Sequence, residues 1–223
     1  MAALCHPTRT MILTPLADDR LSIVLAQFAE SLSVAQARAV FARIAEGANA
    51  ARATPTNSIK NNADAIALIT TFDIGLKPGA PQLDVSWDGS VLRGETEAYV
   101  LIHEVAHFQL AAPARRRLVD FGLGPGPETG DRARAAQAQV LFGLAREREE
   151  AMASLLGVLW ESELGHPALA SLLDQNWLEG ADRPGTAAHF TSILAALETG
   201  GFIDGAGRPQ MRLRQHADAQ TPL

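Results

Sequence analysis

The chain has 223 residues, 47% of them hydrophobic, a net charge of −6 and a single cysteine, Cys5. That is enough apolar material for one sizeable core. The interspersed charges exclude the basic stripe of a nucleic-acid binder, and one cysteine excludes a disulfide framework or a thiolate metal cluster.

The first twenty residues, MAALCHPTRTMILTPLADDR, hold no continuous apolar segment and are broken by prolines, so no secretory leader is expected. No apolar run approaches the length of a membrane span. A cytoplasmic protein without a membrane or nucleic-acid partner is the expectation.

Residues 17–53 read as two amphipathic helices. Leu21, Val24, Leu25 and Phe28 form the apolar face of the first, and Val40, Phe41 and Ile44 that of the second, with Ser31 or Ser33 as its cap. Thr54-Pro55-Thr56-Asn57-Ser58 breaks the pattern and reads as a linker. The run Ala65–Ile74 is apolar and β-branched, and its periodicity leaves strand and helix both open. Leu76–Gln82, with two prolines and a glycine, reads as loop. Leu83–Trp87 alternates like a half-buried strand and ends in the turn signal Asp88-Gly89.

Residues 95–112 contain neither Gly nor Pro, and Tyr99, Ile102, Ala106 and Leu110 form an apolar helical stripe within them. Beside that stripe lies His103-Glu104-Val105-Ala106-His107. On a helix, residues four apart share a face, so both imidazoles reach one point while Glu104 reaches a water bound there. The alternative is two histidines with structural roles or none. Ala112-Pro113 ends the helix and Arg115-Arg116-Arg117 reads as a solvated basic turn. Gly122–Gly130 is a loop over the site, Asp131–Leu164 a helix interrupted once, and residues 186–199 a last helix stopped by Gly200-Gly201.

Two imidazoles do not hold a catalytic metal alone, and no histidine lies between His107 and His166. A later acid must therefore complete the set. Glu147, Glu149 and Glu150 cluster at the start of EREEAMASLLGVLWE. Glu149 leads the bulky stripe Met152, Leu156, Trp160, whereas Glu150 leads Ala153, Ser154 and Gly157, over which another helix can approach closely. Glu150 is the first choice of ligand and Glu147 the second; against both stands the reading of all three as a solvated first turn. Asp120 is a candidate to hydrogen-bond a metal-bound imidazole, or equally to cap the loop after it. His166 and His189 read as ordinary loop and helix-surface residues, and Asn176, Trp177 and Glu179 as a packed turn.

Five elements in order carry a family resemblance: His103–His107, Ala112-Pro113-Ala114-Arg115-Arg116, Val119-Asp120-Phe121-Gly122, Gly165-His166-Pro167 and Asn176-Trp177-Leu178-Glu179-Gly180. Over residues 100–185 the chain remotely resembles the elongation factor P hydroxylase family. There a later glutamate completes the metal site, and reading back from Gly165 places it on Glu150. The chain departs from that pattern after Asp120-Phe121-Gly122, where an aromatic-rich stretch is replaced by Leu123-Gly124-Pro125-Gly126-Pro127.

The expected fold class is α+β: a mainly helical, zincin-like (metallopeptidase-like) domain with a small sheet over residues 57–223, preceded by a helical pair over residues 1–56. The ligand set His103, His107 and Glu150 suits Zn²⁺ for hydrolysis or Fe²⁺ for oxygen activation. A zinc peptidase-like hydrolase acting on a peptide or protein, with Glu104 as general base, leads narrowly. The alternatives are an iron-dependent protein hydroxylase and a non-catalytic metal-stabilised binding module.

Overall fold

A computed structural model describes residues 18–46 and 59–215. Cys5, the absence of a leader at the amino terminus and the linker at Thr54–Ser58 fall outside the described residues. The fold is mainly helical with one small sheet. Its helices are α1 (Asp18–Ser31), α2 (Ala35–Glu46), α3 (Ile59–Thr71), α4 (Ala98–Leu110), α5 (Arg132–Gln137), α6 (Gly143–Leu164), α7 (Ala168–Asp174) and α8 (Pro184–Thr199). The sheet is the parallel pair β1 (Gly75–Lys77) and β2 (Val91–Arg93), with Gly75 opposite Val91 and Lys77 opposite Arg93. Among the described residues no helix is long and apolar enough to cross a membrane.

The ambiguous apolar run is helical. It begins upstream at Ile59, gains an i,i+4 pair between Lys60 and Asp64, and turns the hydroxyls of Thr70 and Thr71 back onto the carbonyls of Ile66 and Ala67. Two local expectations are corrected. Gly75–Lys77, in part read as loop, is a strand. Leu83–Trp87 is not a strand: Pro81 starts a 3-10 turn ending at Leu83, which is 86% exposed, and Val85, Ser86 and Trp87 are buried in succession rather than alternately. Only Trp87 pairs, forming an antiparallel bridge to Leu92. The turn between them is the one expected, with the Asp88 carboxylate accepting from the backbone N–H groups of Ser90 and Val91.

The helical pair α1–α2 shares its core with the later chain. Phe28 meets Phe41 and Phe190 of α8 edge to face, at 4.8 and 5.6 Å between ring centroids. The long helical stretch is broken at residues 138–142, where the N–H groups of Val140 and Leu141 both donate to the Gly122 carbonyl. α6 ends on Gly165 at φ 72°, the left-handed cap that glycine permits. The short helix α7 had no counterpart in the sequence reading.

Glu161 is an unexpected feature of α6. It is buried, accepts a 2.7 Å hydrogen bond from Ser171 on α7, and is pushed up to about 8, first by burial and then by Asp174 against the Ser171 bond. An acid raised in the folded state favours folding fully below its unfolded value near 4.5 and loses that contribution as pH rises through about 8. The loss is on the order of 3–5 kcal/mol. Urea unfolding of Glu161→Gln at pH 5 and pH 8.5 should show that most of this pH dependence has gone. Parallel curves for the two proteins would contradict the assignment.

Candidate metal centre

The centre is built where α4 lies along α6, the most extensive helix–helix contact in the molecule. One turn of α4 separates His103 from His107 and brings their Nε2 atoms to 3.0 Å, with the rings 4.6 Å apart and nearly perpendicular. From α6, Glu150 Oε2 lies 3.4 Å from His107 Nε2. One ligand atom from each of His103, His107 and Glu150 falls within 4.8 Å of the others. Two nitrogens and one carboxylate oxygen thus face a common point, a donor set suited to zinc or ferrous iron.

The helices approach because Gly157 faces α4: a β-carbon there would lie 3.4 Å from the His103 Cα. Gly157→Ala should therefore fit and retain metal. Gly157→Leu should force α4 from α6, cost about 1–3 kcal/mol of stability, and separate Glu150 from the imidazoles. Thermal unfolding and metal titration of both variants check this; metal binding by the Leu variant would refute the close approach.

The three clustered acids part company. Glu147 is exposed, Glu149 is buried against Arg115, and Glu150 faces the histidines. They do not form a solvated first turn, because α6 begins earlier, at Gly143, and they occupy its second turn. The basic turn is corrected too. Arg115 is buried, donating from Nη2 to Glu149 and from Nη1 to the Phe121 carbonyl, and Arg116 donates to the carbonyls of Phe108 and Arg214; only Arg117 is exposed. His166 is likewise buried, 3.0 Å from Asp64 on α3.

The electrostatics hold two of the three ligand groups, His103 and Glu150, in the form that binds a metal. Burial first, then the neighbouring His107, holds His103 down at about 3, so its electron pair is free at neutral pH. Burial would raise Glu150, but His107, His103 and Arg146 outweigh it and hold the carboxylate at about 2. His107 is raised, its own burial being outweighed by Glu150. Glu104 is pushed up to about 7, chiefly by burial, with His107 opposing and Asp120 and Glu150 adding.

Asp120 accepts hydrogen bonds from the Trp87 backbone N–H at 3.2 Å and from the Thr129 hydroxyl at 2.8 Å. The Nδ1 atoms of His103 and His107 are both buried and, among the described residues, have no hydrogen-bond partner. Of the two roles considered for Asp120, the observed bonds are those of loop capping.

A cavity of about 740 Å³ opens over these groups. It is lined by His103, Glu104, His107 and Glu150, by Leu123, Gly124 and Gly126–Thr129, where the expected loop passes the site, and by Asp174–Trp177, Glu179 and His189. No family model, curated protein or solved structure matches the chain. The site thus stands on its own geometry.

From the sequence, a substrate role for Asn176, Trp177 and Glu179 is only the lesser alternative to a packed turn, yet all three line the cavity. Trp177 donates from Nε1 to the Ser154 hydroxyl at 2.6 Å and stacks on His189 at 5.4 Å, so the packed turn and the surface histidine are both cavity wall. Tyr99, one turn before His103, also lines the cavity, and burial raises its phenol so that it remains a donor. The helical repeat from His103 back to Tyr99 was the signal available for it. Nothing local marked His189, which reaches the site only through α8.

Proposed function

We propose that this protein is a metal-dependent hydrolase of the zincin type, cleaving amide bonds in a peptide or protein, with zinc held by His103, His107 and Glu150. One observation carries the reading: Glu104, one residue after a ligand on the same helix, lines the same cavity as the three ligands. A purely structural metal site has no use for a second carboxyl group, beside that of Glu150, on the wall of a cavity. Bound to these three side chains, zinc supplies charge that polarises a carbonyl and acidifies a water.

The chain's own residues do the rest. Glu104 takes the proton of the attacking water and passes it to the departing nitrogen. Tyr99 keeps its proton and offers a hydrogen bond to a carbonyl oxygen that gains charge. The cavity volume is within the range that takes a small ligand or a few peptide residues. Among its lining residues are the acids Glu128, Asp174 and Glu179 but neither Lys nor Arg, which disfavours acidic substrates.

A second reading, iron-dependent protein hydroxylation, is favoured by a specific placement. Two of the elements that resemble the elongation factor P hydroxylase family, Asp120-Phe121-Gly122 and Asn176–Gly180, supply residues to this same cavity. Mass spectrometry of a peptide mixture incubated with zinc-loaded and, separately, iron-loaded protein distinguishes the two. Paired fragments that together equal a parent peptide plus one water support hydrolysis. An intact peptide heavier by one oxygen, formed only with iron, air and an added two-electron reductant such as ascorbate that sends the second oxygen atom to water, would overturn it.

A further inference from the structure

We propose that the buried Arg115–Glu149 pair is a positioning device: it holds Phe121 in a left-handed backbone over His107, and the Phe121 ring sets the orientation of that imidazole. The inference rests on the reading of His107 as a metal ligand and adds to it three residues that touch no ligand atom. A metal-binding histidine is ordinarily oriented by an acceptor at its other ring nitrogen; among the described residues His107 Nδ1, which is buried, meets no such acceptor. What the structure sets against the ring is packing.

The packing is supplied by Phe121. Its ring lies over His107 at 5.7 Å and 23°, and over Trp87 at 5.4 Å and 8°. Trp87 is itself fixed, donating from Nε1 to the Arg116 carbonyl at 2.7 Å. Phe121 is only 1% exposed, its ring packed against both His107 and Trp87.

Bringing that ring over His107 requires an unusual backbone. Asp120 and Phe121 lie at φ 41° and 54°, followed by Gly122 at φ 71°. Left-handed non-glycine residues are strained and persist only where their surroundings hold them. Here the hold is identifiable. Arg115 Nη1 donates to the Phe121 carbonyl at 3.1 Å while Nη2 engages Glu149. Asp120 is tied at both its N–H and its carboxylate to Trp87.

Glu149 immediately precedes Glu150 on α6. One rigid helix therefore carries both the third ligand and the anchor of the segment that orients the second. The pair is poorly arranged for stability alone, since Glu149 Oε1 is buried and, among the described residues, has no hydrogen-bond partner. Buried ion pairs can often be replaced by apolar residues of similar volume at little cost.

The test compares wild type, Arg115→Met/Glu149→Leu, Phe121→Leu and His107→Ala. It uses Co²⁺ alone as probe, with thermal unfolding of each metal-free protein. The expected result is that the double variant unfolds within a few degrees of wild type but binds Co²⁺ about 10–100-fold more weakly, with altered visible absorption bands. Phe121→Leu, which keeps the ion pair, should weaken binding and change the bands in the same sense, and it decides the matter if the double variant does not fold. Wild-type affinity and bands in a folded double variant or in Phe121→Leu would overturn the proposal while leaving the metal site intact. Failure of wild type to bind Co²⁺ better than His107→Ala would overturn the metal reading itself, and this inference with it.

Discussion

Glu150→Gln should lose metal on the order of 10³-fold in affinity, if three protein ligands share a binding free energy of roughly 12 kcal/mol. The substitution preserves size and removes the negative charge facing His107, whose Nε2 lies 3.4 Å away. Glu147→Gln, three residues earlier on an exposed face, should bind metal like wild type. The contrast isolates the geometry from helix charge, because both changes remove one acid from the same turn of α6. Competition titration against a chromophoric chelator measures both. Equal losses for Glu147 and Glu150, or a larger loss at Glu147, would refute the assignment of the third ligand.

Glu104→Gln should behave in the opposite way: metal retained at full stoichiometry, and peptide turnover lowered about 10²–10⁴-fold through loss of the general base. The separation follows from position. Glu104 lines the cavity beside the ligands without belonging to the group whose atoms converge. Because the amide keeps the shape of the acid, binding of substrate should change little, and the loss should fall on kcat rather than KM. Metal content and initial rates on one peptide suffice to check it. A variant with unimpaired turnover would remove Glu104 from the chemistry and weaken the hydrolase reading against the hydroxylase one.

The two histidines and their glutamate were legible because each rests on local geometry. The i,i+4 repeat places His103 and His107 on one face of any helix, and the absence of Gly and Pro from residues 95–112 makes that segment a helix. Glu150 was legible from the small residues that follow it, and Gly157 does sit against the His103 backbone. Glu149 was separable by the same stripes, though its fate as a buried partner was not.

What failed to show in the sequence depends on residues far apart in the chain. Arg115 resembles its exposed neighbour Arg117 until Glu149, 34 residues on, is seen against it. His166 finds Asp64 across 102 residues. The alternation in Leu83–Trp87 was genuine as a pattern, but Pro81 bends the chain where a strand would have to begin. The part of the cavity lining that comes from α7, α8 and the turn between them is assembled from distant residues, and no short spacing announces that assembly. The left-handed backbone at Phe121 is likewise illegible, since a bulky aromatic residue disfavours it, although Asp120 tolerates it, and the surrounding bonds enforce it.

Metal content per chain tests the centre most directly. The protein is purified without added metal, beside His107→Ala prepared identically, and both are analysed for transition metals. About one equivalent of zinc in the wild type and almost none in the variant is the expected result. Equal trace amounts in both proteins, with no gain by the wild type on incubation with zinc, would contradict a metal centre at His103, His107 and Glu150.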